Sequence, residues 1–227
     1  MRNRLTLFLL VWTIVGLPAF AQVNERNCGS LRNGDFGPYD YRAERDPYSP
    51  GTGDHNHKLA LVEGAHFLPY VEQLIKGHRS GKEPGGDIDY TLRAFPNHHR
   101  ALMAVMRYGE KKRNQKAEGL NYEVECYFKR AIRFSKDDPI VFMLYATYLN
   151  SRKRPNEAVS QLEKASSLAK KEPFTQYNVG LIYYDMEKYD EAVAQAHKAK
   201  ALGFERTQLQ ELLEKAGHWK DPVAASK

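Results

Sequence analysis

The C-terminal half of the chain repeats itself with a period of 34 residues, the distance from Pro139 to Pro173. The matching positions are Pro139, Ala146, Glu157, Ala158, Val159 and Ala165, which recur in the same order as Pro173, Gly180, Glu191, Ala192, Val193 and Ala199. A fixed period of this length is typical of helix-turn-helix units that stack into a solenoid. Because such solenoids present an extended concave surface, the repeat favours binding of another chain over catalysis.

The N-terminus has the pattern of an export signal. Arg2 and Arg4 precede an apolar run over 5–16, and Ala19-Phe20-Ala21 forms a small-x-small cleavage site. We therefore predict that residues 1–21 are a cleaved signal peptide and that the protein is periplasmic or secreted. An uncleaved anchor is the alternative, but the run is shorter than the roughly 20 residues that span a bilayer. No later stretch is apolar enough to cross a membrane, so we expect no stable membrane insertion.

Charge and motifs exclude several classes of function. The formal net charge of +6 becomes +4 without Arg2 and Arg4 (6 − 2 = 4), which is too mild to indicate a nucleic-acid partner. The densest basic stretch, 107–116, is typical of a solvated helix end, with a surface for anionic lipid or acidic polysaccharide as the alternative. No nucleophile elbow, phosphate-binding glycine loop, zinc-protease motif or C-x-x-C is present. We expect neither an enzyme nor a cofactor.

The chain has two cysteines, Cys28 and Cys126. In an oxidising compartment an even count favours pairing, so we predict a disulfide that joins the N-terminal extension to the helical part. Two separate thiols, with Cys126 packed as a small hydrophobe, are the alternative.

The chain divides by composition and periodicity. Turn residues are dense in the extension, yet Phe36, Tyr39, Tyr41 and Tyr48 are interleaved with them, so we expect the extension to pack on the helices. The predicted segments are an irregular extension over 22–57, a helical region with degenerate repeats over 58–138, two repeats over 139–206, a capping helix over 207–220 and a tail over 221–227. Asn97 and Asp137-Asp138 are predicted helix caps, and Thr207-x-x-Gln210 a capping box.

Residues 139–206 resemble the tetratricopeptide repeat (TPR) family. Its units have a small residue and an aromatic residue in the first helix, an alanine early in the second helix, another seven residues later, and a proline near the boundary. Residues 122–138 match only the second helix, and 89–100 resemble that of an earlier, degenerate unit. The segments Asn27-Cys28-Gly29, Gly37-Pro38-Tyr39-Asp40-Tyr41-Arg42 and Phe95-Pro96-Asn97-His98-His99-Arg100 also look like those of exported bacterial repeat proteins. The resemblance implies an all-α fold, a short TPR-type solenoid with an irregular N-terminal extension, in a bacterial periplasm.

The resemblance also implies a partner-binding groove, because in this family the first helix of each unit lines it. The corresponding positions are Met143, Thr147, Asn150 and Ser151 in one unit and Phe174, Tyr177, Asn178, Leu181, Tyr184 and Asp185 in the next. Asn178 occupies the position that often hydrogen-bonds a peptide backbone. The lysines and arginines that clamp a C-terminal carboxylate are missing from these positions. With 14 tyrosines in the chain, packing of some of them in the core is the alternative.

Six of the eight histidines lie between residues 55 and 99. They are His55, His57, His66, His78, His98 and His99, and five of them (all but His78) are weak candidates for metal ligands, since neutral imidazole suits zinc, copper and nickel. Glu63-x-x-His66 occurs once, whereas di-iron bundles need that motif twice. We expect packing or surface histidines and no metal.

Together these features predict an exported, non-enzymatic adaptor whose concave face binds a peptide or protein of the cell envelope. A small-ligand or metal-binding protein that uses the histidine-rich N-terminal half is the alternative. An accessory factor for polysaccharide export is a further one. The sequence does not indicate the oligomeric state.

Overall fold

The computed structural model describes residues 28–32, 36–45 and 55–221. For residues 55–57 it describes the backbone and not the side chains. The predicted signal peptide, Tyr48 and most of the tail lie outside these ranges. The described residues form helices α1 (Tyr41–Arg45), α2 (His55–His66), α3 (Pro69–Glu72), α4 (Gly85–Ala94), α5 (His99–Lys112), α6 (Val124–Phe134), α7 (Pro139–Ser151), α8 (Pro155–Leu168), α9 (Pro173–Asp185), α10 (Tyr189–Ala201) and α11 (Gln208–Lys215), and no strand. The prediction of an all-α fold is confirmed. Among the described residues, no helix has the length and apolarity that a bilayer crossing requires.

The two repeats predicted from the 34-residue period each form a helical hairpin. Helix α7 packs along α8, and α9 packs along α10, in the most extensive helix contacts of the described chain. The first helices also stack, since α7 contacts both α5 and α9. Ala158 and Ala192, the early alanines of the second helices, are fully buried. Small side chains at these positions let the paired helices approach closely.

Helix α11 covers the open side of the last hairpin by packing on α9 and α10. Leu209 and Leu213 are fully buried there. A Cβ atom at Gly180 would lie 2.6 Å from Leu209 Cδ2, so the glycine permits the close approach of α11 to α9. Helix α11 lies within the segment 207–220 that was predicted as a capping helix and is shorter than that segment, and the predicted capping box is wrong. Thr207 makes no side-chain cap and donates its hydroxyl to Glu211.

The extension is attached to the helices by a disulfide, by a buried apolar cluster and by hydrogen bonds. Cys28 and Cys126 form a disulfide with a Cα–Cα distance of 5.0 Å, which confirms the predicted pair and attaches the extension to α6. Tyr41 forms a second buried cluster with Leu59, Val62, Ala94 and Phe95, against which Phe36 and Tyr39 pack. The extension also holds the short helix α1, which the density of turn residues did not predict.

The predicted caps are partly correct. Asp138 caps α7, because its Oδ1 accepts the N–H groups of Ile140 and Val141 at 3.1 and 3.4 Å. Asn97 is not the cap of α5. His98 takes that position and accepts the N–H of Ala101 through Nδ1, whereas Asn97 Oδ1 accepts the backbone N–H of Tyr41.

Candidate functional site

The solvent-facing side of α7 and α9 is the surface that the repeat predicts for partner binding. On α7 the partly or fully exposed residues follow a helical spacing, and they recur 34 positions later on α9. We call this surface the open face; it comprises Ile140, Leu144, Thr147 and Ser151 on α7 and Phe174, Asn178, Leu181 and Asp185 on α9. Residues at i, i+4, i+7 and i+11 lie on one side of a helix, so each set forms a continuous stripe.

The open face presents one exposed and several half-buried apolar side chains to solvent. Phe174 is 56% exposed, and its ring meets Phe204 edge-on at a centroid distance of 6.1 Å. Leu144 and Leu181 are half-buried, with their inner sides packed against the core. An aromatic ring flanked by half-buried leucines is a typical anchor region for a protein partner.

Asn178 offers a hydrogen-bond acceptor at the centre of the α9 stripe. Its Nδ2 donates to the carbonyl oxygen of Phe174 at 2.8 Å, which fixes the orientation of the amide. The Oδ1 atom receives no hydrogen bond from any residue in the described ranges. Because Asn178 is partly exposed, Oδ1 is accessible to an N–H group of a ligand.

The C-terminal ends of the two helices complete the surface. Tyr184 is half-buried and packs edge-on against Tyr189 at 5.6 Å. Asp185 as a whole is exposed, but neighbouring atoms partly shield its carboxyl group from water. This desolvation raises the pKa of Asp185. Asn150 is half-buried in the last turn of α7. This end of the open face is therefore polar and carries one acidic group.

Two of the residues predicted for the groove lie in the core instead. Tyr177 is 3% exposed, its ring packs on Phe204 at 4.7 Å, and its hydroxyl accepts the N–H of Leu209 at 3.2 Å. Met143 is 8% exposed, and its carbonyl accepts the hydroxyl of Thr147. The stacking of α11 on α9 covers Tyr177, so this position is not available to a partner.

The sequence reasoning did not select Ile140 and Leu144 on the open face. Both are half-buried, and they lie 34 positions before Phe174 and Asn178. The period of the repeat could have identified them, because each follows from its predicted counterpart by subtraction. With them the open face gains apolar area on α7.

The histidines whose side chains are described do not converge on a metal site. Among the described residues no group of three or more potential ligands is close enough to hold an ion. His66, His98 and His99 each face a different carboxylate, with distances of 2.8 Å to Asp87, 3.0 Å to Glu63 and 2.8 Å to Asp138. The side chains of His55 and His57 lie outside the described structure.

His98 is engaged through both ring nitrogens. Nδ1 accepts the N–H of Ala101, and Nε2 lies 3.0 Å from Glu63 Oε1, to which it donates in the neutral tautomer. Burial lowers the pKa of His98, against the opposing effect of Glu63, so the ring is neutral at pH 7. The ring stacks on Tyr41 at 4.1 Å. This histidine therefore joins the extension to the helices and has no lone pair left for a metal.

Two of the segments that resemble those of exported repeat proteins, 37–42 and 95–100, contact each other in the fold. Asn97 Nδ2 donates to Asp40 Oδ1 at 2.8 Å and to Asp138 Oδ2 at 3.1 Å, and Arg42 pairs with Asp40 at 2.8 Å. The network connects the extension, the start of α5 and the start of α7. These motifs hold the N-terminal half together.

The basic stretch is partly neutralised by its surroundings. Lys112 Nζ pairs with Glu83 at 2.8 Å, and Lys111 Nζ donates to the carbonyl of Leu74 at 2.7 Å. Arg107, Arg113 and Lys116 are exposed. The arrangement is that of a solvated helix end.

Comparisons with known proteins identify no family for this chain. No protein-family model matches the chain, and no curated protein matches it significantly.

Proposed function

We propose that the chain is an exported, non-enzymatic adaptor of the TPR type, which binds a peptide segment of a cell-envelope protein on the open face of α7 and α9. The observation that carries the proposal is the exposure of Phe174 in line with the free acceptor of Asn178 and the half-buried Leu181. An exposed aromatic ring in line with half-buried leucines on stacked first helices is typical of a docking surface. The 34-residue period and the hairpin stacking support the assignment to the TPR type.

The geometry favours an extended peptide over a helical one. The Oδ1 of Asn178 needs an N–H donor, and the interior N–H groups of a helix are already bonded within it. An extended segment leaves its N–H groups free and places alternate side chains on one side. Those side chains would cover Phe174 and Leu181, and Asp185 would favour a basic residue at one end.

The disulfide and the predicted signal peptide support export. A disulfide between Cys28 and Cys126 persists in oxidising compartments such as the periplasm. The partner is accordingly proposed to be an envelope protein.

In-cell crosslinking tests the proposal. A photo-reactive phenylalanine analogue is placed at Leu181 or Leu144, and at Leu202 as the matched control. Leu202 is also a large exposed apolar residue (38% exposed), but it follows α10, a second helix that contributes no residue to the open face. We expect the same crosslinked partner from positions 181 and 144 and none from 202. Equal crosslinking from all three positions, or none from 181 and 144, would contradict the proposal.

A further inference from the structure

A cavity of about 310 Å³ lies between α9, α10, α11 and the segment that follows α11. It lies behind the open face: its wall on α9 is the buried Tyr177, and Phe204, which also lines it, meets Phe174 of the open face. The chain closes the cavity by folding back after α11. The backbone N–H of Trp219 donates to the carbonyl oxygen of Leu213, and the indole ring of Trp219 packs against His197 at a centroid distance of 4.6 Å. The size is at the lower end of the roughly 300–1,000 Å³ of small-molecule sites.

The walls of the cavity are mainly apolar. Aromatic rings of Tyr177, Phe204 and Trp219 surround it together with the aliphatic side chain of Leu209. Ala196 and Ala199 leave the space open because their side chains end at Cβ. Aromatic and aliphatic walls of this kind bind the apolar part of a ligand.

The mouth of the cavity is favourable for an anion. Lys200 and Arg206 line it, both are exposed, and neither forms an ion pair with any residue in the described ranges. Thr207, which precedes α11, and Gln210 in its first turn add polar groups to the lining. The hydroxyl of Thr207 is already donated to Glu211. Glu205 is the one carboxylate among the lining residues.

We propose that this cavity binds a small amphiphilic carboxylate, such as a medium-chain fatty acid, with its tail among the aromatic rings and its carboxylate at Lys200 and Arg206. The charge at the mouth selects an acid over an alcohol with the same tail. A tail buried among three rings loses contact with water, which supplies the affinity. The site does not depend on peptide binding at the open face.

Trp219 makes the site directly observable. The chain has two tryptophans, and Trp12 lies in the predicted signal peptide, so the mature protein carries one tryptophan, Trp219, in the cavity wall. In an uncleaved chain, Trp12→Phe leaves the same single reporter. Titration with octanoate and with octanol is followed by the emission of Trp219. We expect a saturable change with both probes and an affinity for octanoate at least tenfold higher than for octanol.

Two variants separate the contributions of charge and shape. The double variant Lys200→Gln, Arg206→Gln is expected to lower the octanoate affinity to that of octanol without changing octanol binding. Ala196→Leu fills the space and is expected to remove binding of both probes, while its circular dichroism shows whether the fold is kept. Lys170→Gln, Lys171→Gln is the control with the same change in net charge outside this cavity, and it should bind like the parent.

Three results would overturn the proposal: no saturable response of Trp219, equal affinities for octanoate and octanol in the parent, or the same loss in the Lys170, Lys171 control. If Ala196→Leu does not fold, the charge variant still decides, because its residues are exposed and their replacement leaves the core unchanged.

Discussion

Replacement of Asp138 tests whether the junction of the extension, α5 and α7 stabilises the fold. Its side chain is fully buried. Oδ1 caps α7, while Oδ2 accepts from Asn97 Nδ2 and lies 2.8 Å from His99 Nε2. Asp138→Ala therefore removes a cap and the contacts of Oδ2 with Asn97 and His99.

The expected magnitude follows from these contacts. Loss of an N-cap costs about 1 kcal/mol. Loss of a hydrogen bond to a charged group costs about 2 kcal/mol. Oδ2 has two partners, Asn97 and His99, and we count the cost of a lost bond once for both of them. The cost is reduced because Asn97 keeps its bond to Asp40 and because water reaches the partly exposed side chain of His99. Asp138→Ala should thus lower the free energy of unfolding by about 3 kcal/mol.

The neighbouring Asp137 provides a matched control. Its side chain is 73% exposed and pairs with Arg42 at 3.0 Å. Exposed pairs contribute about 0–1 kcal/mol, so Asp137→Ala should have little effect. Urea unfolding followed by circular dichroism at 222 nm measures both variants. If Asp138→Ala destabilises the protein by no more than Asp137→Ala, the junction does not contribute as reasoned.

Three further predictions concern stability. Cys28→Ser with Cys126→Ser should lower the free energy of unfolding by about 4–5 kcal/mol in the chain-entropy model, since the bridged residues are 98 positions apart; an unchanged urea midpoint would contradict this. Gly180→Val should destabilise by about 1–3 kcal/mol, because its Cβ would meet Leu209 at 2.6 Å; Gly64→Val, with nothing within 4 Å of the added Cβ, is the control for the clash in the same unfolding assay. Burial raises the pKa of Asp40, but hydrogen bonds from Arg42 and Asn97 outweigh it and lower the pKa to about 2. A lowered folded-state pKa stabilises above the unfolded value of 3.8 and loses this effect as the pH falls towards 2, so Asp40→Asn should show a flatter loss of stability in acid; identical pH profiles would refute it.

The helices of the two repeats were predictable because their signals are local. Proline at the first position of α7 and α9 and the alanines at Ala158 and Ala192 recur with the period and mark the two hairpins. The disulfide was also predictable, since a chain with two cysteines has one possible intramolecular pairing.

The side-chain environments were less predictable because they depend on distant contacts. Tyr177 has the period position of a groove residue, yet α11, about 30 residues further along, covers it. Asn97 was the predicted cap of α5, but it accepts the N–H of Tyr41, and the neighbouring His98 caps the helix instead. A single sequence does not show which of two adjacent polar residues meets the extension.

Affinity of the crosslinked segment for the open face is the most direct test of the proposed function. A synthetic peptide of that segment is titrated by calorimetry into the parent protein and into Phe174→Ala, Asn178→Ala and Leu202→Ala. We expect Phe174→Ala to weaken binding by about 2 kcal/mol, roughly 30-fold, and Asn178→Ala by about 1–3 kcal/mol. Leu202→Ala should bind like the parent. Unchanged affinity in the two open-face variants would show that the peptide binds elsewhere.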